Sequence, residues 1–206
     1  MCSSDLPTDA APATRRRSEE TRELIVAAAT ECLRHRRVRD LRVEEVMEAA
    51  GPGLSRTLFY RHFDDLVALV VDIASPAFDQ LFGEDNVVKS SARTLDEALR
   101  ASFGVIVSVF VQHGPMIRAA VDAATFSDVA ERAVRSYFEK GFDLAARVLR
   151  DLGVSEPEET GRALVHMDVA YLIDTFGGEP RIPAEMAVDT LARIWGARCS
   201  VLATGD

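Results

Sequence analysis

Cysteine is the first scarcity in this chain. Cys2, Cys32 and Cys199 are few and far apart, so a disulfide framework is not expected to hold the fold, and the pattern fits a reducing cytoplasm. Long apolar runs are missing too. The run 103–111 has nine residues, and Asp72 interrupts the run 66–74, whereas a helix that crosses a bilayer needs about 20. No membrane partner is expected. The N-terminal stretch "MCSSDLPTDAAPAT" lacks the charged-then-apolar order of a signal peptide and reads as a disordered tail, so the expected location is cytoplasmic. There is no strand-like alternation, no internal repeat, no heptad array and no glycine-rich phosphate loop. The four histidines (His35, His62, His113, His166) have no metal-ligand spacing. His166 and Asp168 are two residues apart and so fall on different faces of a helix. These absences point away from an enzyme and give no reason to expect a metal or cofactor.

What is present is a chain of 206 residues, 48% hydrophobic and 28% charged, long enough to bury a substantial core. Its net charge of −9 is unevenly spread. Residues 14–62 hold 11 Arg against 8 Asp and Glu, while residues 66–206 hold 13 basic and 21 acidic side chains. A basic head on an acidic body is what a nucleic-acid-binding module attached to a domain with another task would show. A chance cluster of surface arginines is the plain alternative.

Apolar residues recur at three- and four-residue spacing, so an all-α fold of about nine helices is expected, three short and then several long. Ser18 can cap a first helix, with Leu24, Ile25, Ala28, Cys32 and Leu33 down one face. Residues 41–50 fit a second helix and 55–62 a third. Asp65 can cap a fourth, which should kink or stop at Pro76. Thr94 and Glu97 form a capping-box pattern for a helix reaching about His113, and Gly114-Pro115 should end it and open another to about Ala124. Ser127 can cap the next. Ser155 with Pro157 starts a further one, and a last helix covers about 184–202.

The stretch "GPGLSRTLFYRHF", residues 51–63, places a glycine-bearing turn ahead of Ser55, Arg56, Thr57, Tyr60, Arg61 and His62. Two short helices joined in this way suit a helix-turn-helix, whose second helix enters the major groove. Spacing alone also fits a plain helical hairpin with a polar face. The order of a basic arm, an Ala-rich first helix, "GLSR…FYRHF" and an apolar fourth helix, over residues 15–70, resembles the DNA-binding domain of the TetR family of transcriptional regulators. "FGGEPRIPAEMAVDTLARIW", residues 176–195, is similar to the last two helices of the ethionamide-regulator branch of that family.

The resemblance implies a basic arm at residues 1–17, a DNA-binding domain at 18–65, and an effector-binding and dimerisation domain at 66–206. It implies a homodimer acting on double-stranded operator DNA, read as a repressor released by a small apolar or amphipathic effector. Ser55, Arg56 and Thr57 would begin the recognition helix, and Tyr60, Arg61 and His62 would face phosphates or groove edges. Phe59 and Phe63 read as core. Arg15, Arg16 and Arg17 would form a disordered arm able to enter the minor groove, or else a mere solubilising tail. The sequence departs from the family pattern in several places. "GPGLS" lengthens the turn by two residues, and Leu58 stands where threonine is common. Arg42 stands where a serine or threonine often caps the second helix, and it is expected among the DNA-binding residues. Leu66, behind Asp64 and Asp65, replaces a phosphate-binding lysine. Weaker or more arm-dependent DNA binding is therefore expected, and a helical small-molecule-binding protein that has lost tight DNA binding is the alternative.

Leu99, Phe103, Ile106 and Phe110 recur at helical spacing, with Met116 beyond them, Tyr137 and Phe138 on a later helix, and Asp168 and Leu172 on the next. By spacing alone such stripes are core. The resemblance instead makes them the wall of an effector cavity. Asp168 is the exception among them, because an ionised carboxylate on an apolar face needs a partner, a ligand donor or water. Expected to be walled by Leu164, Tyr171, Leu172 and Phe110, it should have a raised pKa unless something donates to it. The last two helices should pair with their twofold mates, with Leu191, Ile194 and Trp195 at the dimer interface.

Overall fold

The computed structural model describes residues 12–82 and 94–200. Among these it contains α-helices and no strand: α1 (Pro12–His35), α2 (Val43–Ala50), α3 (Arg56–Phe59), α4 (Leu66–Phe82), α5 (Leu95–Ala123), α6 (Asp128–Asp151), α7 (Pro157–Phe176) and α8 (Ala184–Ser200). A single 3-10 turn, Val38–Asp40, joins α1 to α2. The expected all-α class and nearly all of the expected helix count are thus observed. The sequence tail 1–11, with Cys2, lies outside the described residues, as does the expected end of the last helix beyond residue 200.

Local capping signals set many of the helix starts. Asp65 Oδ1 accepts from the Ala68 amide at 2.8 Å, and Thr94 Oγ1 from the Glu97 amide at 3.2 Å. Ser127 caps α6 in the same way. Each satisfies one of the amides that a helix start leaves without a partner. At α2 the N-cap is Arg42, whose guanidinium has no acceptor. There the Glu45 carboxylate instead reaches back to the Arg42 amide at 3.0 Å. α7 starts at Pro157, a good first-turn residue, with Glu156 before it in the left-handed region at φ 53°.

Four expectations about boundaries fail. α1 begins at Pro12 instead of Ser18, so Arg15, Arg16 and Arg17 stand on a helix and not in an extended arm. Arg16 pairs with Glu20 at 3.2 Å one turn on, the kind of contact that carries a helix past a possible cap. α3 is a single turn, shorter than 55–62, although turn bonds continue it to Phe63. Of the kink or stop expected at Pro76, the stop is absent: Pro76 lies inside α4, where Ala74, Ala77, Phe78 and Leu81 on either side are all buried.

The fourth failure matters most. The two helices expected on either side of Gly114-Pro115 are one helix, α5, of 29 residues. The glycine serves contact between helices: a Cβ at Gly114 would lie 2.2 Å from the carbonyl oxygen of Phe176. α5 can therefore press its backbone directly against the end of α7. Gly114→Ala should lower stability by about 1–3 kcal/mol, a fall in Tm of roughly 2–10 °C for a chain of this size. A thermal melt in which the variant matches the parent would show that the two helices part without cost.

α5 is the hub of the body. It packs against α4 and α8 along much of its length, and against α6 and α7. The merged helix is long and apolar enough by composition to cross a bilayer, but half of its apolar window is buried inside the protein. That is the behaviour of a core helix. Phe103, Val107, Phe110 and Ile117 of α5 meet Leu149, Leu172 and Leu191 in the core. Leu191 (1% exposed) and Trp195 are buried within the chain itself, so the expectation that both belong to a dimer interface is corrected. Ile194, at 39% exposure, faces outward. Ala187, Leu191, Trp195 and Cys199 fall on one stripe at four-residue spacing, and all four are buried, which turns that stripe of α8 toward α5.

Candidate functional site

The head formed by α1, α2 and α3 is built around Ile25, Ala29, Leu33, Val46, Met47 and Phe59. The two extra residues in the turn are accommodated by backbone that only glycine adopts easily: Gly51 has φ 137° and Gly53 φ 81°. Ser55 Oγ then accepts from the Leu58 amide at 3.3 Å and starts α3. Phe59 is fully buried and packs on Phe63, ring centroids 5.7 Å apart. Both phenylalanines pin the short helix from beneath, as expected.

With its apolar side fixed, α3 presents Ser55, Arg56, Thr57, Tyr60 and Arg61 to solvent. Arg56 is held in place. Its guanidinium meets Glu44 of α2 at 2.8 Å, donates to the Tyr60 hydroxyl at 3.3 Å and lies 5.6 Å from the centre of that ring. Glu44 is a member of this surface that sequence reasoning missed, since an acidic residue in the first turn of α2 is expected there for the helix alone. His62 is half-buried. Burial first, and then the nearby Arg22 and Arg61 charges, hold its pKa below the usual imidazole value, so near neutral pH it is an uncharged hydrogen-bonding group. Arg42 is exposed at the start of α2, and Arg15, Arg16 and Arg17 are exposed at the start of α1. Asp65, suspected of repelling a DNA backbone, has a structural task as the cap of α4.

The head is tied to the body by charged side chains. Arg22 of α1 pairs with Asp72 of α4, and its guanidinium lies 5.3 Å from the centre of the Phe63 ring. Arg37 meets Asp122 of α5 at 2.7 Å. Arg118 of α5 donates to the Leu33 and Arg36 carbonyls at 2.8 and 3.3 Å. Those carbonyls close the end of α1, where a helix has acceptors to spare and favours positive charge. On the other side of Arg118 lies the end of α7: a Cβ at Gly177 would come within 3.2 Å of its side chain. One arginine thus touches the head, α5 and α7 together.

Within the body, helices α4 to α8 enclose a cavity of about 370 Å³, within the range of small-molecule sites. Of the residues expected there, Leu99, Phe103, Ile106, Phe110, Asp168 and Leu172 line it. Met116, Tyr137 and Phe138 do not, which corrects their assignment. Met116 lies beyond Gly114 in the core. Tyr137 stacks on Phe78 at 4.9 Å, and Phe138 packs against Phe82, Phe142 and His166. A stripe on a long helix passes several neighbours, and only part of it faces any one space.

Asp168 is only 8% exposed. Leu172 and Phe110 share its cavity, while Leu164 and Tyr171 do not line it. Trp195 Nε1 donates to Oδ2 at 3.0 Å and to Oδ1 at 3.3 Å. Burial pushes the carboxyl pKa up to about 7, against the opposing effect of the tryptophan hydrogen bond. The Trp195 ring in turn meets Phe103 edge-on at 5.8 Å. Sequence reasoning missed Trp195 as a cavity residue. The stripe it shares with Leu191 was the available signal.

A one-turn helix behind a glycine turn, set on a helical body with an internal cavity, is the architecture of the TetR-family transcriptional regulators, and the chain has that fold. A TetR-family transcriptional regulator from Streptomyces coelicolor matches 91% of this chain and 84% of its own, with 24% identity and a TM-score of 0.63. A transcriptional regulator from Rhodococcus sp. Rha1 matches 84% of this chain and 94% of its own, at 19% identity and a TM-score of 0.65. NalD, the secondary repressor of the MexAB-OprM multidrug efflux pump in Pseudomonas aeruginosa, matches 88% and 96%, at 17% identity and 0.62. No family model and no curated protein matches the sequence.

Proposed function

We propose that the chain is a homodimeric DNA-binding transcriptional regulator, a repressor that a small apolar or amphipathic effector releases from its operator. The observation that carries this reading is the joining of two sites in one chain. An exposed Arg56-Tyr60-Arg61 surface sits on a pinned helix, and the helices that enclose the cavity meet the head through Arg118. Solved structures with this fold are transcriptional regulators, and NalD is a repressor. Occupancy of the cavity would shift α5 or the end of α7, and Arg118 would pass that shift to α1, changing the spacing of two heads in a dimer. Two recognition helices reading successive major grooves stand about 34–36 Å apart.

The dimer face is the outer side of α7 and α8. Ala163 and Ala170 on α7, and Met186, Ile194 and Ala197 on α8, are apolar residues that these helices leave exposed. Met186 is 52% exposed. The placement in the ethionamide-regulator branch rests on residues 176–195 alone. Val165 and Asp168 stand where that branch presents asparagines to its ligands, so its ligand set does not transfer.

A salt-dependent mobility shift on the DNA flanking the gene for this protein tests the reading. Specific retardation that an effector reverses supports it. Absence of binding at low salt favours the second reading, a small-molecule-binding protein that has lost tight DNA binding. The engagement of Arg56 by Glu44 and the helical setting of Arg15–Arg17 are what favour that alternative. If the three arginines at 15, 16 and 17 lie against phosphate, replacing all three by Ala should weaken binding and flatten the log–log salt slope by up to about 3. An unchanged slope would remove them from the interface.

A further inference from the structure

Among the described residues, the ionisable side chains that line the cavity are Asp151 and Asp168, both acidic, with no Lys, Arg or His beside them. Asp168 comes from α7 and is almost fully buried. Asp151, on α6, is exposed, as are the apolar lining residues Val105 of α5 and Val148 and Leu152 of α6. These residues place the mouth between α5 and α6. The mouth is therefore apolar with one carboxylate at its edge, and the second carboxylate lies further in.

The deeper carboxylate is incompletely served. Trp195 offers one N–H, shared between the two oxygens, whereas an ionised carboxylate has room for about four hydrogen bonds. No cationic side chain among the described residues of the cavity lining faces it. The rings of Phe103, Phe110 and Trp195 line the same cavity, and aromatic faces attract positive charge. An anionic ligand, such as a fatty acid, would meet a like charge at both the mouth and the interior. A neutral apolar ligand would fill the space and leave Asp168 as it was.

We propose that the cavity takes an organic cation, an ammonium carried on an apolar body, with Asp168 as its counter-ion and Trp195 as the residue that holds the carboxylate in place. This deepens the effector site assigned above and rests on that assignment. At about 370 Å³ the space suits a small amphiphile. Asp151 adds a second negative charge on the way in, where it raises the local concentration of cations.

The chain has one tryptophan, and it is the residue hydrogen-bonded to Asp168, so its fluorescence reads this cavity and nothing else. The test is a fluorescence titration, checked by calorimetry, of the full chain with octylammonium, octanol and octanoate. These share a chain and differ in head group. Octylammonium should bind at least about tenfold more tightly than octanol, as a charge-assisted contact replaces a neutral one, and octanoate should bind weakest. Asp168→Asn keeps an acceptor for Trp195 and should erase the advantage of the amine while leaving octanol nearly unchanged. For the parent, amine affinity should fall as pH drops below about 7, because the carboxyl must then lose a proton to bind a cation. Among the described residues, the titratable groups in the lining are Asp168 on α7 and Asp151 on α6, with none on α4, α5 or α8. The Asn variant should lose most of that slope.

Octanol binding as tightly as the amine, an amine preference that survives in Asp168→Asn, or no binding by any of the three would each overturn the proposal. Tight amine binding that leaves a DNA complex intact would uphold it and count against the repressor reading instead.

Discussion

Replacing Tyr60 and Arg61 together by Ala should cut affinity for the operator at least about thirtyfold, because each groove or phosphate contact of this kind is worth about 1–3 kcal/mol. Both side chains are exposed on α3 and neither holds the head together, since the buried members are Phe59 and Phe63. Helical content, melting temperature and dimer mass should therefore stay near those of the parent. Tyr60 has a second effect. Its ring and hydroxyl hold the Arg56 guanidinium beside Glu44, so the double variant also frees Arg56. That gain in freedom works against a complete loss and can be separated by the single Arg61→Ala variant. A double variant that binds the operator as the parent does would move the DNA-reading surface away from α3.

Leu191→Glu should unfold the chain instead of splitting a dimer. The side chain is 1% exposed, on the stripe of α8 that faces α5, and an unpaired carboxylate placed there costs more than about 4 kcal/mol. That is a large part of the 5–15 kcal/mol that holds a domain together. Soluble yield and cooperative melting should both collapse. Ile194→Glu, three residues on and outward-facing, should have the opposite profile: a native circular dichroism spectrum, a native melt and a monomer in ultracentrifugation at micromolar concentration. Specific DNA binding should fall with the dimer, because a monomer engages one half-site only. If Ile194→Glu stays dimeric, and Met186→Glu does as well, the outer strip of α7 and α8 is not the interface.

Much of the head was legible in the sequence, and the reason is range. A cap such as Ser55 or Asp65 bonds an amide three residues away, and a glycine at positive φ satisfies a need of its own backbone. Phe59 and Phe63 are four apart on one short helix, so their shared inward face follows from the helical period. The cavity was legible in part for the same reason: Leu99, Phe103, Ile106 and Phe110 share a face of α5, and all four line it.

What the amino acids determined alone was thus the helical class, the helix starts capped by Ser55, Asp65, Thr94 and Ser127 though not the one expected at Ser18, the turn that sets α3, and the buried carboxylate as a point needing a partner. Tertiary structure decided the rest. Gly114-Pro115 breaks an isolated helix, yet α5 runs through it because the end of α7 lies against the missing side chain and packing outweighs the lost backbone bond. Pro76 is overruled by the same means. Trp195 could have faced a second copy or the core. The choice belonged to the whole stripe of α8, whose other members bury apolar surface against α5, and once α8 had turned inward the indole N–H met Asp168. Periodicity says which residues of a helix share a face. Which neighbour that face meets depends on residues far away in the chain, and only the assembled bundle sets it.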